Sequence, residues 1–394
     1  MNPARETIRL DTEFLHEPNT RLDRLGVSAP VARAVLPDGS PGWFVTGYAE
    51  AKALLADPRL RHNSPVPRQD EAGDGGPKLP EGLVSSMITM DPPQHTRLRK
   101  LVNKAFTTRT VAALRPRIRQ VADELLDAIP VPGQVDLLTA FASPLPITVI
   151  CELLGVPAED RADFRRWSLS VTSAFSARTI TDAHALLGYL ADLVAHKRAH
   201  PTGDPLSDLV HVSDGDDQLT GAELTSMAAL LLVAGHESTV NLIGNGMLAL
   251  LKHPDQFEVL RRDPSLIPDA VEEFLRVASP AHITTTRFAA EAIRVGDVEI
   301  PAGESVMVSL LGANHDPERF AEPHRLDVTR AAAGHLAFGH GIHHCLGAPL
   351  ARLEGEIAFR GLLGKFHSVE LAEQPRWRDT MMMHGLESLL VQLS

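Results

Sequence analysis

Cysteine is scarce in this chain: Cys151 and Cys345 are the only two among 394 residues. That excludes a disulfide framework and any iron–sulfur cluster that needs four thiolates. Long apolar runs are also missing. The stretch Met227 to Gly235 is far short of the roughly 20 residues that cross a bilayer. The first ten residues alternate polar and apolar types and carry two arginines and a glutamate, which does not read as a signal peptide. A cytoplasmic protein without a membrane anchor is the expectation. No internal repeat and no low-complexity linker divides the chain. A formal net charge of −12 argues against nucleic-acid binding.

What is present reads as a large core with local exceptions. Hydrophobic residues make up 44% and charged residues 22%, ordinary for a globular enzyme. Residues 92–122 break the acidic balance, with Arg97, Arg99, Lys100, Lys104, Arg109, Arg115, Arg117 and Arg119 and no acid. Residues 63–82 are rich in Pro, Gly and charge and read as a surface loop, of a length that often serves as a lid. Helices are expected over 158–173, 183–199, Gly221–Lys252 and 269–277. Strands are expected over 293–300 and 305–310, separated by Pro301-Ala302-Gly303. The expected fold class is mostly α with small β-sheets.

The helix at Gly221–Lys252 has both its signals: a Thr220/Glu223 capping box before it and Pro254 after it. At 1.5 Å per residue it is about 48 Å long, enough to cross the molecule. Its centre is apolar nearly all round, yet holds Gly235, His236, Glu237, Ser238 and Thr239. A buried acid beside a hydroxyl is costly unless it has partners and a use. A second concentration of chemistry is Phe338-Gly339-His340-Gly341-Ile342-His343-His344-Cys345-Leu346-Gly347. Its glycines allow backbone to approach a bulky flat partner. Cys345 sits just before an amphipathic helix marked by Leu346, Leu350, Leu353 and Ile357, whose N-terminus favours a thiolate. On this loop alone a zinc site from His335, His340, His343, His344 and Cys345 stays open.

The loop resembles the cysteine-ligand segment of the cytochrome P-450 family, Phe-x-x-Gly-x-His/Arg-x-Cys-x-Gly. Phe338, Gly341, His343, Cys345 and Gly347 fill the fixed positions. Glu273-Phe274-Leu275-Arg276 is similar to the family's Glu-x-x-Arg, and Phe320 to Arg325 to the segment supplying a second arginine. Asp91 to Arg99 is similar to the start of the haem-flanking helix. Ala234-Gly235-His236-Glu237-Ser238-Thr239 resembles the oxygen-binding segment, with serine where threonine is usual. The matches run in family order from about His95 to Gly347.

The resemblance implies a single P-450 domain over residues 1–394, with heme b between the long central helix and the Cys-loop helix. It makes Cys345 the metal ligand, Glu237 and Ser238 the proton relay, and Ala234 and Gly235 the room for dioxygen. It assigns the propionates to His95, Arg99, Arg287 and His343, places Phe338 beside the haem, and groups Glu273, Arg276 and Arg325 as a structural triad. Arg97 and Lys100 read as surface charges, and Cys151, in an apolar stretch, as core. The implied reaction inserts one oxygen atom of O2 into a bulky apolar molecule of macrolide, other polyketide, terpenoid or steroid type. The implied electron donors are a ferredoxin and its reductase, with the basic run apart from Arg99, which is assigned to a propionate, as an acidic partner's docking patch. A peroxide-driven or oxidative-coupling enzyme, or a non-enzymatic haem or zinc binder, are the alternatives. Family analogy draws the pocket from residues 63–90, 169–180, 230–234, 281–285 and 381–383.

Overall fold

The computed structural model describes residues 7–11, 14, 22, 30–64, 79–172, 177–214, 217–378, 380 and 382–394. Most of the expected lid, part of the 169–180 connection and Met381 lie outside those residues. Helices dominate, and the longest is Gly221–Lys252, bounded as its signals require. The Thr220 hydroxyl accepts the Glu223 N–H at 3.2 Å, and the Thr220 N–H donates to the Glu223 carboxylate at 2.8 Å. By length and composition this helix passes for a membrane span, but 67% of its most apolar window is buried inside the protein. It is the axis of the core.

The C-terminal half of that axis packs against Ile267–Val277, Ala348–Lys365 and Arg115–Asp127 through one apolar cluster. Phe274 and Phe359 meet there with ring centroids 4.6 Å apart. Gly246 lets the rings in, since a Cβ at 246 would stand 2.5 Å from Phe359. The N-terminal half packs against Pro144–Leu153, Ala177–Ala199 and Pro205–His211 in a second cluster. Cys151 lies in that cluster, 1% exposed, with burial pushing its thiol up to about 12. It is a core residue.

The β component is small and non-local. A six-stranded sheet runs Ile8–Arg9, Val31–Val35, Pro41–Val45, Ser305–Val308, Arg287–Ala289, Leu60–Arg61. Val306 pairs with Trp43 in parallel, and with Arg287 in antiparallel register. A three-stranded sheet joins Val369–Leu371, Leu390–Leu393 and Gly133–Asp136.

Several expected bounds shift. The strand expected at 293–300 is a hairpin, Ile293–Val295 against Val298–Ile300, because Gly296 turns the chain at φ 56°. The second strand stops at Val308. Leu310 then opens a short helix, Leu310–Asn314, whose first turn is capped by the Ser309 hydroxyl. The helix expected from 183 starts earlier, at Ala177. The 158–173 segment divides into a 3-10 turn, Ala158–Asp160, and a helix, Arg161–Thr172.

Candidate active site

Cys345 is held by its own loop. Its N–H donates to the Phe338 carbonyl at 2.9 Å, and the helix Ala348–Lys365 begins three residues later. Hydrogen bonds from the Gly347 and Ala348 backbone, and the charges of Arg99 and Arg352, favour its thiolate. Burial outweighs them and leaves the thiol raised. Yet the residue as a whole is exposed, while the surrounding protein desolvates a charge on its thiol. The glycines divide in their reasons. Gly341, at φ 73°, presses against the neighbouring helix Tyr48–Ala56, and a Cβ there would be 2.3 Å from the Leu55 carbonyl oxygen. Its close approach is to protein backbone.

Beside this loop lies a cluster of cationic and imidazole groups. The His343 ring stands 4.3 Å from His95 and 4.9 Å from His62, centroid to centroid. Burial and the neighbouring charge of Arg287 push His62 down to about 4 and His343 to about 3. Burial and Arg99 lower His95. Arg287, 6% exposed on its strand, is pushed by burial down to about 10. Arg99 donates to the His344 carbonyl at 2.8 Å. Asp91 is the acid facing this group, and its two oxygens already accept the backbone N–H groups of His62 and Asn63. Both ring nitrogens of His95, Nε2 of His62 and Nε of Arg287 are buried without a hydrogen-bond partner. Such a cluster fits an anion that accepts several hydrogen bonds.

The central helix carries the remaining candidate residues. Ala234 is exposed in mid-helix, with Gly235 and Ser238 half-buried beside it, while the following turns are buried throughout. The Ser238 hydroxyl donates to the Ala234 carbonyl at 2.7 Å, and buried Thr239 donates to Gly235 at 3.2 Å. Glu237 is 6% exposed and faces Arg378 Nη1 at 3.7 Å. His236 is buried, and burial pushes it down to about 4, so it is neutral here.

A family model described as Cytochrome P450 matches residues 197–392. The chain is 46% identical over 368 residues to the 6-deoxyerythronolide B hydroxylase of Saccharopolyspora erythraea, covering 90% of this chain and 91% of that protein. It is 47% identical over 389 residues to the Vitamin D(3) 25-hydroxylase of Pseudonocardia autotrophica, covering 96% and 94%. The chain belongs to the cytochrome P450 family. The tirandamycin C-bound P450 monooxygenase TamI matches this P450 at a TM-score of 0.89 and 47% identity, over 98% of this chain and 100% of that one. This P450 is a monooxygenase whose cofactor is haem. The buried, acid-poor cluster suits a group bearing two propionates.

Three expectations change in this P450. Arg276 is fully buried and pairs with Glu273 at 2.7 and 2.8 Å. The second arginine on Glu273 is Arg330, at 3.1 Å, not Arg325. Arg325 sits on the surface against Glu322 and reaches the cluster only through its backbone carbonyl. Three of the eight residues of the basic run are paired with acids from elsewhere. Arg97 bonds Asp217 and Glu223, Arg115 bonds Glu356, and Arg117 bonds Glu152. Arg97 is thus an anchor rather than a surface charge. The histidines of the Cys loop disperse: His343 faces His95, while His335 faces Glu272. Among the described residues no group of three or more His, Cys, Asp or Glu is arranged to hold a metal ion. His62 went unread in the sequence, because a single histidine after a two-residue strand has no spacing to mark it.

Proposed function

We propose that this P450 binds its haem through Cys345 and oxidises a bulky apolar small molecule. The observation that carries the reading is a cysteine at the head of a helix beside an acid-poor cationic cluster. His95, Arg99, Arg287 and His343 hold the propionates, with His62 as a fifth member. Phe338 packs beside the Cys345 loop, and Ala234 and Gly235 leave space on the central helix. When bound, the haem supplies the activation of O2 and the transfer of one oxygen atom. The reduced CO complex of the purified protein should show the red-shifted band of a thiolate ligand. A band at the imidazole position instead would overturn the assignment of Cys345.

Glu237 and Ser238 form the proton relay in this reading. Because the Ser238 hydroxyl spends its hydrogen on the Ala234 carbonyl, its lone pairs remain available to accept from water or substrate. Glu237 is buried with Arg378 Nη1 at 3.7 Å, one residue before Ser238 on the helix. Ser238→Ala should keep haem and substrate binding but divert more reducing equivalents to peroxide, lowering product per NAD(P)H by several-fold. Ser238→Thr should couple as well or better, since the methyl restricts the rotamer. Equal coupling in wild type and Ser238→Ala would remove the hydroxyl from the mechanism.

The substrate belongs to the macrolide, other polyketide, terpenoid or steroid type, and hydroxylation or epoxidation is the expected outcome. Support comes from relatives named for 6-deoxyerythronolide B and vitamin D3 at nearly equal identity. Half-buried Leu230 and Leu231 on the central helix, and Ala281 bridged to Met383, add apolar lining. A titration of spectral shifts across such compounds tests the class.

A ferredoxin with its reductase supplies the electrons. The docking role falls to Lys100, Lys104 and Arg109, which are exposed. Lys100→Glu with Lys104→Glu should slow ferredoxin-supported reduction about tenfold while leaving substrate binding intact. The wild-type rate should fall as the Debye length shrinks from about 30 to about 10 Å. Reduction indifferent to both changes would move the docking site elsewhere.

A further inference from the structure

We propose that Glu272 is a positioning residue for the haem-thiolate centre, holding Arg352 over Phe338 and so setting the charge that the Cys345 sulfur feels. The inference rests on the reading of Cys345 as the ligand.

The geometry forms a continuous chain. Glu272 stands next to the Glu273 of the buried pair but points another way. It accepts Arg352 Nε at 2.6 Å on one oxygen and Nη2 at 2.9 Å on the other. This is the two-pronged arrangement that fixes a guanidinium plane. The His335 Nδ1 accepts the Ala337 N–H at 3.2 Å, which leaves the ring proton on Nε2, facing the second Glu272 oxygen at 3.3 Å. So braced from two sides, the guanidinium carbon lies 4.6 Å from the centre of the Phe338 ring. The His335 ring flanks the same phenyl at 5.7 Å. The Phe338 carbonyl in turn accepts the Cys345 N–H.

Electrostatics follow the same path. Burial pushes the Glu272 carboxyl up, but the close approach of His335 and the hydrogen bonds and charge of Arg352 together pull it to about 2. It is therefore an anion at neutral pH. Arg352 stabilises a charge on Cys345 directly. The carboxylate both fixes that cation and cancels part of it. Adding an electron to a haem-thiolate makes the centre one unit more negative. Removing Glu272's charge should favour that state, and removing Arg352's should oppose it.

The test is a mediator-controlled redox titration of the haem-loaded full chain, with the reduced CO spectrum and thermal unfolding followed in parallel. Glu272→Gln, which keeps the shape, should raise the potential. Arg352→Gln should lower it, and the double variant should return near wild type. Each single change should alter the ferrous-to-ferric ratio at fixed poise by about tenfold, the effect of a unit charge over roughly 10 Å at an effective dielectric of about 20. All three should keep the thiolate CO band. Shifts of the same sign in both single variants would mark simple loosening and overturn the proposal, as would no shift in either. A wild-type chain lacking the thiolate band would overturn the underlying ligand reading as well, which separates the two failures.

Discussion

Cys345→Ala should abolish the thiolate band of the reduced CO complex and bring oxygenation to background, while Cys151→Ala should leave both intact. The two cysteines occupy opposed environments. Cys151 is packed among Ile147, Ile150 and Leu154, and burial drives its thiol up to about 12, so it cannot serve as an anionic ligand. Losing that sulfur should cost about 1 kcal/mol through packing alone. Cys345 is also disfavoured as a free thiolate by burial. However, its exposed position, the Gly347 and Ala348 hydrogen bonds and the nearby Arg99 and Arg352 make it the cysteine that a metal ion can deprotonate. The Cys345→Ala protein should stay folded, because Phe338, His343 and the helix Ala348–Lys365 retain their own contacts. Spectra of both variants, beside their unfolding curves, check the claim. A thiolate band surviving in Cys345→Ala would contradict it outright.

The features legible in the sequence were those written in short spacings. The Thr220–Glu223 box fixed the start of the central helix, because both partners lie within one turn. Glu273 and Arg276 were legible as a pair for the same reason. The Cys loop motif reached Cys345, His343 and Phe338, but not the constraint that Leu55, far away in the chain, places on Gly341. Long-range partners were invisible. Arg97 reads as one of eight like charges until Asp217 and Glu223 arrive from a distant turn. The same holds for Arg115 and Glu356. No periodicity predicts that Val306 pairs with Trp43, since parallel register across such a separation is set by tertiary packing. His62 belongs to this class. Its strand pairs beside Arg287, and only that pairing brings its ring to His343.

Arg276→Ala should be the most destabilising single change around Glu273, and Arg325→Ala the least, although the motif alone placed both beside it. Arg276 is 0% exposed and satisfies more than the carboxylate. It also donates to the carbonyls of Asn314 at 3.0 Å, Pro323 at 2.6 Å and Arg325 at 3.3 Å. Truncating it strips the fully buried Glu273 carboxylate of its two-pronged partner, leaving only Arg330 and the Asp327 N–H, and leaves the Asn314 and Pro323 carbonyls short of a donor. Breaking a buried pair in this way costs about 3–5 kcal/mol. Against a total stability of about 5–15 kcal/mol, that should leave little folded protein at growth temperature. Arg330 holds Glu273 at 3.1 Å from a position 15% exposed, and it donates to Ala321, Glu322 and Arg325 carbonyls as well. Arg330→Ala should fall between the extremes. Arg325 pairs with Glu322 where both side chains are more than half exposed, a contact that salt and side-chain entropy reduce to almost nothing. The change to alanine keeps the backbone carbonyl that Arg276 and Arg330 use. Arg325→Ala should therefore stay within about 0.5 kcal/mol of wild type. Denaturant midpoints for the three variants give the order directly. If Arg325→Ala matched Arg276→Ala, its side chain rather than its carbonyl would be what the cluster needs, and Arg330 would lose its place there.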